Sequence, residues 1–128
     1  MDYSELLKIA EEQRKNSYSP YSGFAVGAAL LCADGTVYTG CNIENAAFSA
    51  TVCAERVAFF KAISDGKRDF EAIAITGAKS DEKPKEDCLP CGTCRQVMAE
   101  FCEPNFKIVL LSGVYELNGL LPKAFTLR

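Results

Sequence analysis

The chain has 128 residues and a formal net charge of −3, and 48% of its residues are hydrophobic. This length suits a single domain over residues 1–128 with a substantial core, and it is too short for two ordinary domains. The sequence has no basic footprint for nucleic acid, no apolar stretch near the roughly 18 residues of a membrane span, and no secretion signal, so we expect a cytoplasmic protein that binds neither nucleic acid nor membrane.

The first half of the chain predicts a helix followed by a β-hairpin. Asp2 can cap a helix that runs to about residue 15, and a turn-rich loop at residues 16–23 follows it. Phe24–Cys32 is apolar and is typical of a buried strand. A turn at residues 33–36 then leads to a returning strand at Val37–Cys41.

The second half predicts two further helices between strands. A helix from about residue 51 or 52 to residue 64 is apolar on nearly every side, so we expect it to be buried. Strands are predicted at residues 70–77, 106–111 and 114–117, and a second helix begins at the Cys91–Cys94 pair. This order predicts the α/β class, as a three-layer α-β-α sandwich with a mixed central sheet of about five strands.

Seven cysteines and the absence of histidine restrict the chemistry of the chain. Without a secretion signal, the cysteines indicate reduced thiols or metal ligands rather than a disulfide framework. The lack of histidine excludes Ser-His and Cys-His catalysis and any zinc site that uses imidazole. Any zinc ligand in this chain must therefore be a cysteine or a carboxylate.

Three cysteines stand where helices are predicted to begin: Cys53, Cys91 and Cys94. Three protein ligands and an open fourth position are typical of catalytic zinc. The alternative is a closed site of four thiolates that adds Cys88, which would make the chain a non-catalytic structural zinc module. The other three cysteines lie in apolar strand or helix patterns and are predicted to be small buried hydrophobic residues: Cys32, Cys41 and Cys102.

Glu55 follows Cys53 by two residues, at the start of the central helix. An acidic residue is common there because it interacts favourably with the helix dipole. A glutamate two residues after one zinc ligand, with Pro-Cys-x-x-Cys later in the chain, is also the pattern of zinc base deaminases, in which it moves protons. Arg56 is predicted to donate to a cysteine sulfur and offset the charge of three thiolates, or else to form a surface ion pair.

Five segments of the chain resemble the small homotetrameric cytidine deaminases, and together they run nearly from end to end. The segments are YSPYSGF at 18–24, GCNIENA at 40–46, CAER at 53–56, PCGTCRQV at 90–97 and LLPKAF at 120–125. The resemblance implies one Zn²⁺ per subunit, held by Cys53, Cys91 and Cys94, with Glu55 as the catalytic acid and base.

The resemblance also implies how a nucleoside is bound. Asn42 and Glu44 would hold the sugar 3′-hydroxyl, Phe24 would lie against the nucleoside, and the Ala54 amide would contact the pyrimidine. Phe125, otherwise a tail anchor in the core, would reach the ring from a neighbouring subunit. The chain departs from the family pattern at Phe48, where a tyrosine is expected, so a hydroxyl is absent there.

The activity implied by the resemblance is hydrolysis of free cytidine and 2′-deoxycytidine to uridine and 2′-deoxyuridine with release of ammonia, a step of pyrimidine salvage. Glu55 would take a proton from the attacking water and deliver it to N3 of cytosine, then carry a second proton to the departing amino group. The nearest alternative is a deaminase of the same fold that acts on another aminopyrimidine, such as blasticidin S.

Overall fold

A computed structural model describes residues 1–127 and contains one five-stranded sheet with helices on both faces. In chain order the elements are α1 (Tyr3–Gln13), β1 (Phe24–Cys32), β2 (Val37–Cys41), α2 (Ala54–Ser64), β3 (Phe70–Lys79), α3 (Gly92–Phe101), β4 (Lys107–Leu110), β5 (Gly113–Glu116) and α4 (Leu117–Leu120). Short 3₁₀ turns lie at Arg14–Asn16 and Phe48–Ala50.

The strands lie in the order β2-β1-β3-β4-β5, and the sheet is mixed. The β1–β2, β1–β3 and β4–β5 pairs are antiparallel, whereas β3 and β4 are parallel because α3 connects them. Since successive side chains of a strand point to opposite faces, β1 contributes to two cores. Ala29 and Leu31 pack with Leu6 and Ala10 of α1, and Leu30 packs on the other face with α2 and α3. The predicted three-layer sandwich is confirmed.

The start of α2 differs from the prediction by two or three residues. The helix begins at Ala54 because the backbone of Val52 pairs with Ile43, each amide donating to the other's carbonyl at 3.0 Å. Cys53 is therefore the N-cap, with an extended backbone. The expectation that α2 is buried on nearly every side is also wrong in the isolated chain, because Phe60 on the outer face of the helix is 47% exposed.

The remaining bounds follow the predictions closely. β3 extends two residues beyond the predicted strand. β4 is one residue shorter than predicted at each end, and β5 is shifted by one residue towards the N-terminus. The helix α4 was not predicted, because four residues are too few for helical periodicity to show in the sequence. Among residues 1–127, none of the helices has both the length and the apolar character needed to cross a membrane.

Gly40 allows β2 to approach the first turn of α2 closely. A Cβ atom at this position would lie 2.3 Å from the carbonyl oxygen of Ala54 and 2.8 Å from the nitrogen of Ala58. We therefore expect Gly40→Ala to lower the free energy of unfolding by about 1–3 kcal/mol, measured by urea denaturation, because α2 must move away from the sheet. Gly119→Ala is the control, since a Cβ there meets no atom within 4 Å. Equal urea midpoints for the two variants would contradict this prediction.

Candidate metal centre

Two helix N-termini bring three cysteine sulfurs together. Cys53 is the N-cap of α2, Cys91 is the N-cap of α3, and Cys94 lies in the first turn of α3. The sulfur of Cys91 lies 3.8 Å from that of Cys53 and 3.4 Å from that of Cys94, and all three lie within 4.8 Å of one another. Sulfurs bound tetrahedrally to zinc at about 2.3 Å lie roughly 3.8 Å apart, so the donor set and its spacing fit this ion.

The cluster favours an anionic sulfur. The pKa of Cys53 is lowered, chiefly by a hydrogen bond from Cys94 and then by one from Arg56, and the shared hydrogen bond raises the pKa of Cys94. The amide of Cys94 also donates to the sulfur of Cys91 at 3.4 Å. The free N–H groups at the N-termini of α2 and α3 carry partial positive charge, which also stabilises thiolates. A soft cation would therefore meet a site where one negative charge is already stabilised.

Arg56 lies against the cluster rather than in a surface ion pair. Its Nη2 donates to the sulfur of Cys53 at 3.5 Å. Within residues 1–127, the ion pairs that the structure contains join lysines to carboxylates and do not include Arg56. A dication bound by three thiolates leaves one uncompensated negative charge, and the guanidinium is placed to offset it.

Glu55 is buried at the base of this cluster, with 4% of its surface exposed. Burial, helped by the negative charge of Cys53, raises the pKa of its carboxyl to about 7. Hydrogen bonds from its own backbone amide and from Cys94 oppose the shift without cancelling it. A carboxyl that titrates near neutral pH can both accept and donate a proton, as general acid–base catalysis requires.

Cys88 lies near the site but outside the sulfur cluster. In the part of the chain that the structure describes, the group of potential ligands within 4.8 Å consists of Cys53, Cys91 and Cys94. Cys88 instead packs over Gly77, where an added Cβ would lie 3.0 Å from its sulfur. Burial, together with the negative charges of Glu55 and Cys53, raises the pKa of this thiol to about 12. The geometry therefore favours the open three-thiolate arrangement.

The other three cysteines lie away from the site. Cys32 and Cys102 are buried in the core, as predicted, and Cys41 is only partly buried at the end of β2.

Asn42 and Glu44 link the end of β2 to the loop before β1. The side-chain amide of Asn42 donates to the carbonyl of Phe24 at 2.8 Å, and its oxygen accepts from the amide of Val26 at 2.9 Å. The carboxylate of Glu44 accepts from the amides of Tyr21 and Ser22 at 2.9 and 3.1 Å. Both side chains therefore stabilise the turn at the end of β2 through hydrogen bonds, and each retains unused hydrogen-bonding capacity.

Sequence reasoning did not identify two serines in this loop. The hydroxyl of Ser17 donates to the side-chain oxygen of Asn42, and the hydroxyl of Ser22 donates to the carboxylate of Glu44. The only signal was a run of turn-forming residues before β1. Such a run predicts a loop, but it does not show which distant carboxylate or amide a hydroxyl will meet.

Of the expected substrate contacts, Glu44 and Phe48 line one open depression, whereas Phe24 lines a different one and Ala54 is buried. Phe24, Phe48 and Phe125 are 40%, 78% and 68% exposed, so the idea that Phe125 anchors the tail in the core is wrong. The tail is fixed instead by Gln96, which donates to the backbone carbonyl of Phe125 at 2.7 Å. As the first residue of α2, Ala54 has an N–H with no acceptor within the helix. An open depression of about 570 Å³ is lined by Tyr21, Ser22, Glu44, Asn45, Ala46, Phe48 and Thr51.

A mixed sheet that places a buried glutamate beside three cysteine sulfurs at two helix N-termini is the arrangement of the zinc-dependent base deaminases. The family model described as "Cytidine and deoxycytidylate deaminase zinc-binding region" matches residues 1–110. The chain therefore belongs to the cytidine and deoxycytidylate deaminase family.

Individual relatives agree with this assignment over nearly the whole chain. A cytidine deaminase from Sporosarcina psychrophila is 50% identical over an alignment of 131 positions, gaps included. The alignment covers 98% of this chain and 93% of the relative. The crystal structure of cytidine deaminase from Burkholderia pseudomallei superposes with a TM-score of 0.88 at 42% identity, covering 98% of this chain and 100% of that one. A blasticidin-S deaminase from Bacillus cereus is 32% identical over 122 residues, 93% of this chain and 82% of the relative.

Proposed function

We propose that this protein deaminates free cytidine and 2′-deoxycytidine hydrolytically to uridine and 2′-deoxyuridine, with release of ammonia. The observation that carries the proposal is the position of Glu55, a buried carboxyl in the first turn of α2 beside three clustered sulfurs. A structural zinc module has no use for such a carboxyl, and burying it has a large desolvation cost. The similarity to named cytidine deaminases supports the choice of substrate.

Zinc would be held by Cys53, Cys91 and Cys94, whose soft sulfurs suit this ion and leave its fourth position open. When bound, zinc supplies a Lewis acid that makes water nucleophilic near neutral pH. Arg56 would offset the surplus negative charge of the thiolates through its hydrogen bond to Cys53.

Glu55 would move the protons of the reaction. It accepts a proton from the attacking water and delivers it to N3 of cytosine, which makes C4 electrophilic as the C4–O bond forms. It then transfers the proton of the new hydroxyl group to the amino group. The C4–N bond breaks, C4 becomes a carbonyl and ammonia leaves. A pKa near 7 suits both the accepting and the donating steps.

Substrate binding would use five residues near the ends of β1, β2 and α2. Asn42 and Glu44 would hold the sugar 3′-hydroxyl, Phe24 would cover the nucleoside, and the free N–H of Ala54 would contact the pyrimidine. Phe48 would contribute an aromatic face without the hydroxyl of a tyrosine. Each of these groups is at or near the exposed surface or has unused hydrogen-bonding capacity.

We also propose that the protein is a homotetramer with active sites shared between subunits. Phe48, Phe60 and Phe125 are 78%, 47% and 68% exposed in the isolated chain, which leaves large apolar side chains uncovered. In this arrangement Phe125 would reach the pyrimidine of a neighbouring subunit. The 128 residues would form a single catalytic domain, acting in cytoplasmic pyrimidine salvage with one zinc per subunit.

The proposed function is tested with the zinc-loaded protein and cytidine, following ultraviolet absorbance and ammonia release together. Blasticidin S is the second substrate, because a blasticidin-S deaminase is among the relatives. Conversion of cytidine to uridine with an equal amount of ammonia supports the proposal. Turnover of blasticidin S alone would assign the other aminopyrimidine, and no turnover of either with zinc tightly bound would favour a structural zinc module.

We expect Arg56→Ala to lower kcat for cytidine by about tenfold, because removing a group that tunes a metal ligand commonly costs 10- to 100-fold. The measurement compares kcat at matched zinc content, determined by elemental analysis. Arg68→Ala is the control, since Arg68 donates only to the backbone carbonyls of Ile63 and Lys67 in the interactions described. An unchanged kcat at full zinc occupancy would show that Arg56 does not tune the site.

A further inference from the structure

The hydroxyl of Ser22 joins two groups that the proposed function places against the substrate. It donates to Oε2 of Glu44 and accepts from the backbone amide of Phe24 at 3.0 Å. Glu44 would receive the sugar and Phe24 would cover the nucleoside. A single hydroxyl therefore contacts the carboxylate of one proposed substrate residue and the backbone of the other.

The hydrogen bonds of Glu44 show how completely this loop holds it. A carboxylate has about four acceptor positions. Three are filled from residues 21 and 22, by the amides of Tyr21 and Ser22 on Oε1 and by the hydroxyl of Ser22 on Oε2. One position on Oε2 remains. Since an ionised carboxylate only accepts, that position suits a donor such as a sugar hydroxyl.

The loop itself is fixed in place by backbone contacts. The amide of Gly23 donates to the carbonyl of Ser19 at 2.9 Å, and the amide of Ser80 donates to the carbonyl of Gly23 at 2.8 Å. Gly23 adopts a positive φ of 67°, which glycine tolerates readily. The serine hydroxyl is therefore presented to Glu44 from a defined backbone, and it also keeps the pKa of Glu44 below its ordinary value.

We propose that Ser22 is a positioning residue for sugar recognition, which fixes the Glu44 carboxylate so that its remaining acceptor position meets the substrate 3′-hydroxyl. This inference rests on the proposed function. Without the Ser22 hydroxyl, Oε2 loses a charge-assisted hydrogen bond, and the Phe24 amide loses its acceptor. Recognition of the sugar should then weaken while the chemistry at Glu55 continues.

The test compares cytidine with 3′-deoxycytidine on the zinc-loaded protein. We expect Ser22→Ala to lower kcat/KM for cytidine by about tenfold, mainly through a higher KM, since hydrogen bonds to charged groups are among the stronger ones. For 3′-deoxycytidine we expect a change of less than about twofold, because the hydroxyl that Glu44 reads is missing. The preference for cytidine over 3′-deoxycytidine should therefore fall by about fivefold or more.

Two variants that are isosteric with each other separate the effect of the hydroxyl from the effect of side-chain packing. Ser22→Thr retains the hydroxyl and should keep the preference, whereas Ser22→Val has a methyl group in its place and should lose it. This pair decides the question even where Ser22→Ala folds poorly. Ser80→Ala is the control from the same neighbourhood, because Ser80 contacts the loop through its backbone amide. Calorimetric binding of uridine and 3′-deoxyuridine gives the same comparison without turnover.

The outcomes distinguish the two proposals. If the wild-type protein does not deaminate cytidine, the proposed function fails and the role of Ser22 fails with it. If the wild type prefers cytidine over 3′-deoxycytidine and Ser22→Val keeps that preference, the role of Ser22 alone is overturned. Equal losses on both substrates would likewise overturn it, because they indicate a general effect on the loop.

Discussion

Glu55→Gln should lower kcat for cytidine by about two to four orders of magnitude, the range expected when general acid–base catalysis is removed. Glutamine has nearly the same shape, so the change removes proton transfer and leaves the packing intact. The wild-type carboxyl is 4% exposed, and its pKa is raised to about 7 by burial. A neutral amide fits this buried position at least as well, so we also expect the variant to be at least as stable as the wild type.

The measurement for Glu55→Gln combines kcat, zinc content and thermal unfolding. Glu71→Gln is the matched control, because the Glu71 carboxylate is exposed on β3, where Tyr3 donates to it at 3.0 Å. We expect the control to keep full turnover and both variants to keep their zinc. Turnover near the wild-type rate in Glu55→Gln would remove Glu55 from the mechanism.

The metal centre was predicted from sequence in its parts but not in its geometry. Cys53, Cys91 and Cys94 stand beside helix starts in the sequence, and the absence of histidine limits the possible ligands. That the two helix starts meet depends on how α2 and α3 pack against one face of the sheet, which local patterns do not specify. The N-cap position of Cys53 depends on the pairing of Val52 with Ile43, a contact between residues nine apart.

The surroundings of the site were harder to predict. Hydrophobic periodicity reports which side chains avoid water but not what covers them, so the burial predicted for the whole of α2 does not distinguish a core from a subunit interface. Phe60 illustrates the difference, because it is 47% exposed in the isolated chain. The hydrogen bond from Ser22 to Glu44 joins residues 22 positions apart in two irregular segments, where hydrophobic periodicity gives no signal.

Cys94→Ser should abolish stable zinc binding and lower kcat/KM for cytidine by at least about a thousandfold, since without a bound metal the attacking water would not be activated near neutral pH. Cys94 is 1% exposed in the first turn of α3, and its sulfur lies 3.4 Å from that of Cys91. Serine supplies a harder and less acidic ligand, which does not replace a thiolate on zinc. Because metal binding also stabilises the fold, the variant should melt at a lower temperature than the zinc-loaded wild type.

Cys88→Ser is the matched control for Cys94→Ser, and it tests the closed four-thiolate alternative at the same time. Cys88 lies outside the cluster of sulfurs within 4.8 Å, and burial raises the pKa of its thiol to about 12. We therefore expect this variant to keep one zinc per chain and to lose zinc to a chelator at the wild-type rate. A chelator should lower the melting temperature of the wild type and of Cys88→Ser but leave that of Cys94→Ser unchanged. If Cys88→Ser lost its zinc as Cys94→Ser does, the site would have four protein ligands, and the open position on which the proposed catalysis depends would not exist.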